Sequence, residues 1–160
     1  MMSAPELIQT LTRRLSSIAM AVAPIFLRAA LAVPFFRSGL TRWDGFLQIS
    51  DSTTYLFEEE FKLHLFGAEY GFPMPDAVAY LVATAELTLP VLLVLGLATR
   101  FAALAMLIMT GVIQLVVPDG WANFHLPWAA MAISIIALGA GPISLDRLIA
   151  LRFASEAYRQ

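Results

Sequence analysis

Between Ala77 and Thr99 the chain carries one charged residue, Glu86, in an otherwise uncharged and mostly apolar run. Such a run is long enough to cross a bilayer, whose hydrocarbon core needs about 20 apolar residues. A lone ionised carboxylate at mid-membrane costs about 2.5–3.5 kcal/mol or more unless it is paired, neutralised or reached by water. Three further segments have the same character: about 18–37, interrupted by Arg28, 101–117 without a charge, and 124–142 with His125. The predicted fold is therefore all-α, an integral membrane four-helix bundle filling a single domain over 1–160. The composition agrees, at 59% hydrophobic and 14% charged among 160 residues.

Basic residues in short loops favour the cytoplasmic side. Arg13 and Arg14 precede the first span, Arg100 lies between the second and third, and Arg147, Arg152 and Arg159 follow the fourth. The other side would hold the 40–75 loop and the Pro118–Trp121 turn, where acidic residues outnumber Arg42 and Lys62. The expected location is the bacterial cytoplasmic (inner) membrane, multi-pass, with both termini cytoplasmic. Arg13-Arg14 before an apolar run, with Ala30-Leu31-Ala32 after it, imitates a cleaved leader. Arg28 interrupts the stretch that a leader would keep free of charge, and the arginine pair reads more simply as an anchor. Absence of cysteine removes disulfides, thiolate metal ligation and thiol chemistry. Nothing in the charge pattern suggests a nucleic-acid partner.

Ser38-Gly39 closes the first span, Pro73-Met74-Pro75-Asp76 opens the second with Asp76 as the expected N-cap, and Pro118-Asp119-Gly120 turns between the last two. Gly139-Ala140-Gly141-Pro142 ends the fourth, and the polar-to-basic tail from Ser144 would lie along the cytoplasmic interface. In the outer loop, Phe57, Phe61 and Leu65 form one stripe of a helix over Thr54–Phe66, with Glu58 and Lys62 paired at i,i+4. Phe61–Leu65 also alternates as a strand would; an amphipathic helix on the bilayer or capping the bundle is the preferred reading. Glu60 and His64 have a spacing that suits a metal on a helix, but a solvated acidic face is the commoner outcome and no metal is expected.

A helical rise of about 1.5 Å per residue puts Arg28 roughly 12 Å and Glu86 roughly 14 Å below the outer boundary, if Phe36 and Ala77 mark it. The two are then expected to pair, as a structural ion pair or with Glu86 also handling a proton. A second polar group, Gln114, His125 and Arg37 with Trp121 and Trp128, lies nearer the outer face. Tryptophans at that level commonly anchor the interface. The functional alternative is a pocket in which His125 and Gln114 hydrogen-bond a quinone ring between aromatic side chains, with Arg37 and Trp128 beside it.

Arg28 with Phe35-Phe36-Arg37-Ser38-Gly39-Leu40, Ala85-Glu86-Leu87, Gly96-Leu97-Ala98-Thr99-Arg100 and the late Ser144-Leu145-Asp146 together resemble the DoxX family of small four-span membrane proteins. The resemblance extends from about Ile25 to Leu148 and places Arg28, Gly39, Glu86 and Arg100 on matching positions. The family is named after a membrane subunit of a thiosulfate:quinone oxidoreductase, so the resemblance implies quinone contact and a role as subunit or accessory of a membrane oxidoreductase. Only His64 and His125 could ligate haem, and iron–sulfur ligation by cysteine is excluded, so electrons would come from a periplasmic or membrane redox partner. Two other classes stand beside this one: a non-catalytic anchor whose outer loop docks a periplasmic protein, and a small transporter or metal-stress accessory, since Tyr55–Leu63 resembles a subgroup encoded beside metal-stress genes. Ala102-Ala103, Ala105, Gly139 and Gly141 permit close helix packing within one subunit or between several.

Overall fold

A computed structural model describes residues 3–157, with side chains described from 3 to 154; Arg159 lies outside the described residues. The order of elements is α1 (Ala4–Leu40), β1 (Trp43–Gly45), β2 (Gln48–Ile49), α2 (Asp51–Tyr55), β3 (Lys62–Leu65), β4 (Ala68–Gly71), α3 (Pro75–Leu95), α4 (Thr99–Val116), α5 (Leu126–Leu138) and α6 (Leu145–Ala157). A wide helical turn, Leu56–Glu60, prolongs α2, and Pro118–Gly120 with Trp121–His125 leads without a break into α5. Four of these helical stretches, α1, α3, α4 and Pro118–Leu138, are long and apolar enough to cross a membrane. The protein is a multi-pass membrane protein.

The four spans close into a ring in which α1 packs on α3 and α5, and α4 on α3 and α5. Its centre is Leu31, Phe35, Leu93, Met106 and Ile135, with Ala102, Ala103 and Ala132 letting the backbones approach. Large apolar side chains point outward from every span, among them Phe26, Leu81, Phe101, Ile108 and Ile133. A water-soluble bundle would hide these residues; here they face lipid.

Helix ends follow local chemistry. Ser3 opens α1 through a reciprocal capping box, its own N–H donating to Glu6 Oε2 at 2.8 Å. Pro75 supplies the first residue of α3, so Asp76 lies inside the first turn and does not cap it; Met74, at φ 48°, is the N-cap. Gly96, at φ 68°, ends α3 in the left-handed region.

The expected amphipathic helix over Thr54–Phe66 is only half present. Helical structure stops at Glu60, Phe61 turns extended with ψ 108°, and Lys62–Leu65 pairs antiparallel with Ala68–Gly71. Phe66 (φ 52°) and Gly67 (φ 81°) form a two-residue turn with both φ positive, which matches the twist of the flanking strands and commits the following segment to a hairpin. Lys62 Nζ consequently donates to the Glu58 carbonyl at 2.7 Å, in place of a side-chain ion pair.

Candidate functional site

Pro75 begins α3 well beyond the end of α1, so the two helices are staggered. Gly39, at the close of α1, lies against Glu86: a Cβ there would come within 3.0 Å of Glu86 Cβ and 2.9 Å of Leu87 Cδ2. Eleven residues of α3 precede Glu86, about 16 Å of helix. The space beside them, where α1 would have continued, is filled by β2, α2 and the Leu56–Glu60 turn.

The stagger overturns the expected partnership of Arg28 with Glu86. Both are buried, at 3% exposure each, but they serve different layers. Glu86 Oε2 accepts from Arg42 Nε at 3.2 Å and Oε1 accepts from the Ser38 hydroxyl at 3.1 Å. Arg28, ten residues or about 15 Å back along α1 from Ser38, donates to the carbonyls of Pro24 (3.2 Å), Leu93 (3.4 Å) and Ile143 (2.7 Å). Phe36 and Ala77 are not level, because α3 overhangs the end of α1.

Arg42 reaches Glu86 because α1 runs to Leu40 and the chain then turns over the bundle, with the Arg42 carbonyl accepting from the Ser50 N–H at 2.9 Å. Its guanidinium lies 5.8 Å from the centroids of both Phe57 and Phe61, which favours the cation over the ring faces. Nε is engaged by Glu86, while the terminal guanidinium nitrogens have no hydrogen-bond partner among the described residues. Counting Arg42 as an outer-loop charge missed this role; the signal was its position four residues after Ser38, one helical turn on.

Beside the Arg42–Glu86 pair lies a cavity of about 200 Å³, walled by Phe35, Phe57, Phe61, Phe72, Val82, Ile113 and Trp128 among others. Glu86 and Arg42 are the charged groups of its lining, and Ser38 adds a hydroxyl. Trp128 packs at a tilt against Phe35, 5.0 Å between ring centroids, and against His125, at 5.5 Å.

His125 and Gln114 do come together, behind Trp128 and outside the cavity lining. Gln114 Nε2 donates to the Pro118 carbonyl at 3.0 Å, which fixes the amide so that Oε1 meets His125 Nδ1 at 2.6 Å. Nδ1 therefore carries the proton. The buried His125 ring also crowds Gly120, where a Cβ would lie 2.5 Å from Cε1. This pair ties α4 to the turn that starts the fourth span. Arg37 is exposed on another face of α1, beside Pro90 and Val94 of α3, and takes no part in the cavity. His64 pairs instead with the Leu115 carbonyl at 3.1 Å and with Glu69 at 3.4 Å.

The opposite end of the bundle is locked by Asp146. Its Oδ1 and Oδ2 accept from the N–H groups of Ala98 (2.7 Å) and Thr99 (3.0 Å), and its own N–H donates to the Gly96 carbonyl at 2.8 Å. A residue 47 positions away in sequence thus satisfies the N-terminus of α4. Partial burial pushes the Asp146 carboxyl up, but these hydrogen bonds and the nearby Arg28 charge outweigh it and hold the group below the usual carboxylate range. Gly96 is required here twice over, by its positive φ and because a Cβ would overlap Arg28 and Ser144.

The chain is 29% identical over 154 residues to an uncharacterized protein of Haemophilus influenzae, covering 85% of this chain and 89% of the relative. No solved structure matches. The DoxX family model matches residues 23–119, which include Arg28, Ser38, Gly39, Arg42, Glu86 and the cavity walls contributed by α1, α3 and α4, and the chain belongs to the DoxX family.

Proposed function

We propose that the protein binds a quinone headgroup in the cavity beside Arg42 and Glu86 and acts as a quinone-interacting subunit or accessory of a membrane oxidoreductase. The observation that carries this reading is the cavity itself: about 200 Å³, aromatic and aliphatic, with its charge confined to one buried ion pair. A dry apolar cavity of roughly 150 Å³ accommodates a single six-membered ring, so the volume suits one ring with its tail leaving between helices.

The residues present fit such a group. Free guanidinium N–H groups of Arg42 would donate to a ring oxygen, and Phe57, Phe61 and Trp128 would pack against its faces. A quinone, when bound, supplies reversible two-electron, two-proton redox chemistry. Glu86 would hold or release a proton at Oε1 or Oε2, with Ser38 and Arg42 orienting the carboxylate. His125 and Gln114 would act one layer out, by holding Trp128 in place. Arg28 belongs to the locking end of the bundle and carries no chemistry in this reading.

The same reading places the protein in a bacterial inner membrane. Arg100, Arg147 and Arg152 belong to the end locked by Asp146, and Arg13 and Arg14 lie on the stretch of α1 beyond it, which supports a cytoplasmic side for that end. The hairpins and the cavity would then face the periplasmic leaflet, where a redox partner would deliver electrons. The exposed Glu58, Glu59 and Glu60 beside the cavity wall favour a second reading, an anchor that docks a basic periplasmic protein.

Purification in mild detergent, followed by solvent extraction and mass spectrometry, tests the proposal. Wild type should retain about one quinone per chain, and Val82→Phe, which fills the cavity with an apolar ring, should lose it while remaining folded. Equal quinone in both, or none in either under conditions where the fold is intact, would move the weight to the anchor.

A further inference from the structure

The first half of α1 is the least explained part of the molecule. From Ala4 to Val22 every residue except Thr10 is exposed, so about 28 Å of helix projects beyond the bundle without a partner. Contact with the bundle begins at Pro24, which abuts Gly141 and whose carbonyl accepts from Arg28 Nε.

Apart from Met20, which lies among the polar residues, this projecting helix gathers its large apolar side chains on one side. Ile8, Leu11, Leu15, Ile18 and Val22 recur at alternating spacings of three and four, which gathers them in a stripe about 100° wide. Ile8 and Leu15 are 63% and 70% exposed. Gln9, Arg13 and Ser16 occupy the opposite side, and Arg14 borders the stripe.

The stripe continues down α1 through Phe26, Ala29, Phe36 and Leu40, all exposed on the side that the membrane-spanning half turns to lipid. It is not the side that buries Arg28, Leu31 and Phe35 in the bundle. Pro24 has no N–H to give the Met20 carbonyl, so the helix is weakest where it leaves the bundle. A bend there, directed away from the bundle, turns the outward face of the helix down toward the bilayer. α6 leaves from the same end, likewise exposing Leu148, Ile149, Leu151 and Phe153.

We infer that Ala4–Val22 is an amphipathic anchor that folds over at Pro24 and lies on the bilayer surface, its Ile8–Val22 stripe in the headgroup–acyl boundary and its arginines against lipid phosphates. Lipid is favoured as the occupant because the stripe is continuous with the established lipid-facing side of α1. Two arginines also match an anionic leaflet.

The chain has no cysteine, so single cysteines can be spin-labelled in the full-length protein without other changes. The probe is the protein in nanodiscs of mixed zwitterionic and anionic phospholipid, labelled in turn at Ile8→Cys, Leu15→Cys, Ile18→Cys, Gln9→Cys, Arg13→Cys and Ser16→Cys. All six positions are exposed, and unchanged thermal unfolding confirms the fold of each. The oxygen-to-nickel-chelate accessibility ratio should be several-fold higher at 8, 15 and 18 than at 9, 13 and 16. Pro24→Ala should lower it at Ile8 and Leu15. Equal ratios on both faces would overturn the inference in favour of a helix standing in water. Dipolar broadening at 8, 15 and 18 that disappears on dilution with unlabelled protein would overturn it in favour of pairing with a second copy. An unchanged pattern in Pro24→Ala would overturn the hinge.

Discussion

Replacing Arg42 by methionine strands the Glu86 carboxylate, whose side chain is 4% exposed, with only the Ser38 hydroxyl to satisfy it. Removing one partner of a buried ion pair costs about 3–5 kcal/mol. Glu86→Leu should cost less, because Arg42 is 14% exposed and keeps both aromatic faces; the loss is one charge-assisted hydrogen bond, about 1.5–3 kcal/mol. The double variant removes both charges and fills the space with apolar side chains, which in buried pairs is close to neutral. The coupling energy should therefore reach about 4.5–8 kcal/mol, larger than is usual for a pair in contact because both single variants strand a buried charge. By contrast, Arg28→Met and Glu86→Leu should be additive within about 0.5 kcal/mol, since the two side chains lie in layers about 15 Å apart. Unfolding in mixed detergent micelles, followed through the tryptophan emission, gives all the free energies needed. Additive Arg42 and Glu86 variants, or coupling above about 1 kcal/mol between Arg28 and Glu86, would refute this account of the site.

Asp146→Asn should destabilise the protein by about 1 kcal/mol, as for loss of a helix cap. Because the Asp146 carboxyl is held below its usual range, its contribution is complete above its unfolded value of about 3.9 and fades as pH falls through the folded one. The gap in Tm between wild type and variant should thus be constant at neutral pH and close in acid. Gly39→Val should push α1 from α3, losing the Ser38 and Arg42 contacts to Glu86 and any bound quinone together, as read by extraction of the purified protein. His125→Phe keeps the ring against Trp128 but leaves the Gln114 carbonyl unsatisfied, costing about 1–3 kcal/mol in the same unfolding assay.

The sequence by itself determined the solvent and the number of spans. Four apolar runs, each nearly free of charge, can satisfy their backbone groups in lipid only as helices, whatever else the chain does. It also singled out Glu86 and Arg28, because a buried charge in such a run requires compensation, and it brought Gln114 and His125 to one level. Tertiary structure decided which groups compensate which. Partnership depends on the stagger of α1 against α3, and that stagger arises from where the 41–74 segment folds back over the bundle. Hydropathy carries no information about it. The same segment turned a stripe of aromatic residues, legible as a helix, into a turn and a hairpin, since positive φ at Phe66 and Gly67 favoured strand pairing over another helical turn. The cavity follows from both: α1 stops at Leu40, half-way along α3, and the aromatic side chains that cover the gap do not fill it.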